Sequence, residues 1–158
     1  MDPSVATRLE SMRPRLLATA RRLGVSPPDA EDLVQQTLTD ALEGLDDFEG
    51  GASVETWVYR IFLNRRADAL RRRRAIPQAE GHVAPDALTF MISRERHDAI
   101  RGALADLPRP DESLLVWRFI EDRSYAEISA MEGVAEGTLR SQVFEALKRL
   151  RAALKEFE

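Results

Sequence analysis

Residues 124–151, SYAEISAMEGVAEGTLRSQVFEALKRLR, constrain the fold most, because they hold two helical periodicities separated by a glycine. Ser124 with Glu127 three positions on is a capping-box pattern and predicts a helix from Tyr125. Tyr125, Ile128 and Met131 recur at helical spacing, and Gly133 supplies the break. In the helix that follows, Leu139, Val143, Leu147, Leu150 and Leu154 form an apolar stripe expected to face the first helix. The opposite face carries Thr138, Arg140, Ser141, Gln142, Phe144, Glu145 and Lys148, the arrangement with which a recognition helix enters a major groove. A plain helical hairpin with solvated charges has the same pattern, so the rest of the chain must decide.

The net charge of −4 argues against a polyanion partner only as an average. Residues 29–49 hold eight acidic side chains and no basic one, whereas 60–74 hold seven arginines against Asp68 alone. Residues 138–155 are moderately basic, with Arg140, Lys148, Arg149, Arg151 and Lys155 against Glu145. Such segregation predicts two kinds of surface, one for a polyanion and one for something else.

Helical periodicity runs through most of the chain and no alternating strand pattern occurs, so the expected class is all-α. One helix is expected over residues 4–23, with Pro14 as a kink. A second starts at Ser26-Pro27-Pro28, with Asp29, Glu31 and Asp32 at its positive end, and runs to about Leu45. Residues 46–53 read as a polar loop, and Ser53 can cap a third helix from Val54 to about Arg74. The stretch 75–87, AIPQAEGHVAPDA, ends the periodicity and reads as an interdomain linker. Two further helices, 88–107 and 111–121, precede the helical pair. The expected organisation is thus a helical domain at 1–74, a linker at 75–87 and a second helical domain at 88–158.

The third helix, SVETWVYRIFLNRRADALRRRR, is the second anchor of the reading. Cations near a helix C-terminus contribute roughly 0.3–1 kcal/mol each, and seven arginines exceed that need. Aromatic residues beside cations and the Asn64 amide supply stacking surfaces, phosphate partners and an edge-reading group for single-stranded nucleic acid. Trp57 taken alone is better read as core.

With 44% hydrophobic residues the chain can bury a core, and without cysteine it has no disulfide or thiolate site. His82 in the linker and His97 on a polar face lack a second histidine at metal-ligand spacing. Gly50-Gly51 lacks the strand and lysine of a phosphate loop. No enzyme centre, metal or cofactor is expected. No apolar run approaches the ~20 residues of a membrane span, so no membrane insertion is expected and the location is read as cytoplasmic.

DAEDLVQQTLTDAL, then TWVYRIFLNRRADALRRRR, then LPRPDESLLVWRFIEDRSYAEISAMEGVAEGTLRSQVFEALKRLR together resemble bacterial sigma factors of the extracytoplasmic-function type. The resemblance implies two helical domains, regions two and four, joined by a flexible linker. It implies an alternative sigma factor that binds core RNA polymerase and directs promoter-specific initiation, with an anti-sigma factor as a further partner. The matching core-polymerase positions are Asp29, Asp32, Leu33, Gln35, Gln36 and Thr37. Those matching contact and melting of the minus-ten element are Phe48, Ser53, Trp57, Arg60, Asn64, Arg65, Arg71 and Arg72. Holding a flipped base offsets the few kcal/mol of stacking lost on strand opening. At the minus-thirty-five element the implied contacts are Thr138, Arg140, Ser141, Gln142, Glu145 and Lys148.

The chain departs from the family pattern in three places. Ala135 stands where a capping Ser or Thr is usual, a loss of about 1 kcal/mol unless Glu136 compensates at the dipole. Gln142 and Glu145 replace frequent arginines, which either weakens phosphate binding or sharpens base readout, since Glu accepts from cytosine and Gln reads adenine. These departures keep a rival open: a sigma mimic that titrates an anti-sigma factor without initiating transcription. Mimics usually carry a receiver domain, for which 158 residues leave no room, and tend to lose the basic run that Arg71–Arg74 preserve.

Overall fold

The computed structural model describes residues 3–51, 53–74 and 88–155. Among them every regular element is helical, in keeping with the all-α expectation. The predicted linker, 75–87, and His82 within it lie outside the described residues.

The predicted first helix is two helices, α1 (Pro3–Ser11) and α2 (Arg13–Arg22), parted at Met12. Pro14 offers no N–H and its ring crowds the carbonyl four residues back, so the chain ends one helix and starts another with Pro14 in its first turn. Gly24 leaves α2 in the left-handed region at φ 85°, where a side chain would be strained. Helix α3 (Pro27–Glu43) follows, with two prolines in its first turn; Ser26 sits at the cap position without making a side-chain cap bond. It stops two residues short of Leu45 because Leu45–Asp47 tightens into a 3-10 turn. Helix α4 (Val54–Arg74) begins as expected, with the Thr56 N–H donating to Ser53 Oγ at 3.1 Å. Ala30, Val34, Leu38 and Ala41 of α3 pack in one core with Val58, Phe62 and Leu63 of α4. Fully burying a side chain such as Phe62 contributes about 1.5–3 kcal/mol.

The second unit runs through α5 (Leu88–Asp106), α6 (Arg109–Leu115), a π-helical turn (Val116–Ile120), α7 (Tyr125–Glu132) and α8 (Glu136–Lys155). The helix expected at 111–121 starts earlier, because Pro110 serves as a first-turn residue. It then widens, and the Glu121 N–H reaches the Val116 carbonyl at 2.9 Å. Ser124 and Glu127 form both halves of the capping box, and Gly133 closes α7 at φ 68°. Leu139 and Val143 of the predicted stripe are buried; Leu147, Leu150 and Leu154 are half-buried, and Ala146 joins the core in their place.

The two units pack against each other. Helices α5, α6 and α7 all contact α4, and one continuous apolar core joins both halves. Trp117 of the π turn meets Tyr59 of α4 edge to face, centroids 5.6 Å apart, and both rings are buried.

Candidate functional site

Helices α3 and α4 bound a cleft of about 770 Å³ whose α3 wall is acidic and amide-bearing, with Asp29, Asp32 and Gln36, and whose α4 wall carries Asn64, Arg65 and Arg72. The two charge blocks, separate in sequence, thus face each other. Arg65 binds Asp40 through two guanidinium nitrogens, with Nη2 to Oδ1 at 2.8 Å, and donates to Gln36 at 2.8 Å. The bond to Asp40 holds the Arg65 guanidinium above its ordinary pKa despite the opposing effect of burial. Arg73 approaches Asp29 at 3.8 Å on open surface, where such a pair is worth little. The structure therefore divides the six positions that the resemblance implies for polymerase contact. Asp29, Asp32, Gln35 and Gln36 are exposed, whereas Leu33 is core and Thr37 donates its hydroxyl to the Leu33 carbonyl at 2.7 Å. Gln35 accepts from Arg13 at 3.0 Å.

Phe48 and Trp57 stack at 5.1 Å with a tilt of 35°, and Trp57 also lies against Gly44, where an added Cβ would stand 3.2 Å from its ring. Both rings are half-exposed beside the polar loop. Ser53 is occupied by its capping bond to Thr56. Arg60, Asn64, Arg71 and Arg72 are exposed along α4. Of the aromatic residues on this helix, Tyr59 and Phe62 are fully buried and offer no stacking surface. Their positions fall on the stripe 59, 62, 63, 66, 67, the spacing of one buried helix face.

On α8, Thr138, Arg140, Ser141, Gln142, Glu145 and Lys148 are all exposed, as is Phe144. The Arg140 guanidinium lies over the Tyr125 ring at 5.0 Å from its centroid and 3.5 Å from the Glu136 carboxylate. Arg118 stands over the same ring at 5.1 Å. Gln142 and Arg140 project from a helix held by α7, with Arg140 oriented by two local partners. His97 is exposed on α5, and among the described residues no group of three His, Cys, Asp or Glu could hold a metal.

Sequence reasoning missed the polar residues between the units. Arg66, 2% exposed, pairs with fully buried Glu112 at 2.9 Å and donates to the Arg101 carbonyl at 3.2 Å. Burial pushes Arg66 below its ordinary pKa and pushes Glu112 above the carboxylate range, against the pull of Arg109 and Arg66. Arg109 also bonds Glu112 and reaches Asn64 Oδ1 at 2.8 Å. A second cluster centres on Glu121, which accepts from Tyr59, from Thr19 at 2.6 Å and from Arg123 at 2.6 Å. Burial and the Glu121 charge raise the Tyr59 phenol far above its usual value. Arg123 is raised as well: burial opposes its charge, but Glu121 and Glu55 outweigh that cost. The one sequence signal was Arg66 itself, which falls on the buried stripe of α4 rather than on its cationic face.

Comparison with known proteins follows the same division. The Sigma-70 region 2 profile matches residues 9–76, and the profile of Sigma-70, region 4 matches residues 97–150. The ECF RNA polymerase sigma factor EcfG of Rhodopseudomonas palustris is 34% identical over 145 residues, covering 89% of this chain and 80% of that protein. ECF RNA polymerase sigma factor SigM of Mycobacterium tuberculosis is 32% identical over 135 residues, covering 85% and 69% respectively. Among solved structures, the sigma factor RpoE of Bartonella quintana, bound to the anti-sigma factor NepR, aligns with a TM-score of 0.50 at 27% identity, over 96% of this chain and 97% of that one. CnrH, solved with the cytosolic domain of CnrY, shares the fold with a TM-score of 0.51 at 22% identity, over 96% and 88% of the two chains.

Proposed function

The chain belongs to the extracytoplasmic-function sigma factors of RNA polymerase, and from that premise we propose how its surfaces divide the work of initiation. It is an alternative sigma factor and not a catalyst: it binds core RNA polymerase and directs promoter-specific transcription initiation. The exposed α3 residues Asp29, Asp32, Gln35 and Gln36 form the polymerase contact, and Leu33 and Thr37 support it from the core. Phe48 and Trp57, with Arg60, Asn64, Arg65, Arg71 and Arg72, receive the minus-ten strand, and Ser53 fixes the start of their helix. Thr138, Arg140, Ser141, Gln142, Glu145 and Lys148 read the minus-thirty-five element.

The observation that carries this reading is the α8 face. Six of its implied reading residues are exposed together on a helix whose opposite side is locked to α7 through Leu139 and Val143. By similarity to the RpoE–NepR pair, an anti-sigma factor is a partner of this chain as well. No described helix is long and apolar enough to cross a membrane, and we place the protein in the cytoplasm with the transcription apparatus. The mimic alternative is not favoured, because the relatives aligned over most of this chain are RNA polymerase sigma factors.

Selection tests the reading: core polymerase with and without the chain is incubated with duplexes randomised over the upstream region, and bound DNA is sequenced. The chain should enrich two spaced motifs that core enzyme alone does not. Enrichment of none, despite stable association with core, would leave the promoter assignment without support.

A further inference from the structure

We infer that Gly44, at the end of α3, is a positioning residue for the minus-ten surface: its missing side chain lets Trp57 of α4 close on the turn that presents Phe48. The inference rests on the assignment of Phe48 to the minus-ten strand and says how that ring is held in place. Gly44 sits at φ −90° and ψ 2°, a conformation open to any residue, so its backbone does not call for glycine. The space around it does. A Cβ at this position would stand 3.2 Å from Trp57 Cζ2, 3.5 Å from Trp57 Cη2 and 3.2 Å from the Asp40 carbonyl oxygen.

Trp57 touches one short turn at both of its ends. Its benzo edge meets Gly44, and its ring meets Phe48 four residues further on, with centroids 5.1 Å apart. Between these points the backbone is tied by its own hydrogen bonds. The Asp47 N–H donates to the Gly44 carbonyl at 3.1 Å, and the Phe48 N–H donates to the Leu45 carbonyl at 3.2 Å. Residues 44–48 therefore move as one piece against the indole. A Cβ at Gly50 or Gly51 would meet nothing within 4 Å, so these two glycines give Phe48 no support from the other side.

Neither helix is free to yield to an added methyl. One turn before Gly44, the Asp40 carboxylate is held by two nitrogens of Arg65 on α4, which ties the end of α3 to α4. The Trp57 N–H donates to the Ser53 carbonyl at 3.1 Å, which fixes the indole's own backbone in the first turn of α4. Carbon atoms at 3.2 Å lie inside the attractive range, which has its optimum at about 3.5–4.0 Å. The half-exposed indole is the group that can move, and it turns outward, taking Phe48 with it. A base stacks only on a ring held at a suitable distance and tilt. Phe48 is thus the surface that receives the base, Trp57 holds it, and the bare backbone at Gly44 sets where Trp57 lies.

A double-mutant cycle tests the coupling. Holoenzyme is titrated with a labelled single-stranded oligonucleotide carrying the minus-ten motif enriched by selection, and with a scrambled one. Gly44→Ala should weaken binding of the enriched strand by about fivefold or more, as expected where overpacking displaces a side chain. Binding of the scrambled strand, which rests on phosphate contacts, should not change. Trp57→Phe lacks Cζ2 and Cη2 and makes room for the methyl, so adding Gly44→Ala to it should cost no further affinity. A separate arm needs no DNA. Trp117 is 1% exposed and Trp57 half-exposed, so the acrylamide-quenchable emission of the free chain is that of Trp57. Gly44→Ala should raise that quenching while circular dichroism keeps its helical signal. Equal losses from Gly44→Ala in both backgrounds, or quenching identical to wild type, would overturn the positioning role. A wild-type holoenzyme that does not distinguish the enriched strand from the scrambled one would count against the minus-ten reading itself, and the quenching arm would still decide whether Gly44 places Trp57.

Discussion

Arg109, in the first turn of α6, donates from Nε to Oδ1 of Asn64 on α4 at 2.8 Å, so the amide implied to read an unpaired base is tied to the other half of the chain. On the role proposed for Asn64, a base would take the place of Arg109 at this amide. Asn64→Ala combined with Phe48→Ala should spare closed-complex formation yet reduce permanganate-reactive thymines near the start site. Transcription by the same variant should recover on a pre-melted bubble template. Equal losses on duplex and bubble would rule out a melting role.

The polymerase contact is tested at exposed α3 positions. Asp32→Ala with Gln36→Ala should weaken association with core enzyme while circular dichroism stays unchanged, because both side chains are exposed on one wall of the cleft. Leu33→Ala should instead cost about 2–5 kcal/mol of stability, as expected for a core residue. Undiminished co-purification of the Asp32/Gln36 variant would contradict the assignment.

Periodicity and capping make most helices legible in the sequence alone. The Ser124–Glu127 box, the Gly133 stop and the Ser53 start all follow from local chemistry, which a sequence displays directly. Pro14 was read as a kink and is a break, because nothing local tells whether neighbouring packing will hold a proline-containing helix together. The exposed face of α8 was legible in full. The junction was not: Glu112 and Glu121 look like ordinary surface acids until α4 is brought against them across more than forty residues of sequence. Arg66 hid among six other arginines, distinguished only by its register with Tyr59 and Phe62.

Base readout by α8 is tested at Arg140. Arg140→Ala should cost on the order of 1–3 kcal/mol at promoters with the preferred upstream base and far less where that base is changed. Tyr125→Leu keeps an apolar body under the guanidinium but removes the ring beneath it, and should produce a smaller loss of the same sequence dependence. A uniform loss across sequences, with a salt slope smaller by about one, would mark Arg140 as a phosphate contact only.

The recognition unit also has a predicted local stability. Ser124→Ala removes one half of the capping box and should cost about 1 kcal/mol by urea denaturation. Gly133→Ala forces a side chain into the left-handed region at φ 68° and should cost a similar amount, although open space surrounds that position.

As an alternative sigma factor, this chain turns core RNA polymerase into a promoter-selective enzyme. Multiple-round runoff transcription with purified core enzyme measures that directly, on a template carrying motifs enriched by selection and on one with the upstream motif scrambled. A discrete transcript is expected from the first template only when the chain is present, with strong loss on the scrambled one. No transcript from any template by the wild-type chain, alongside tight binding to an anti-sigma factor, would contradict it.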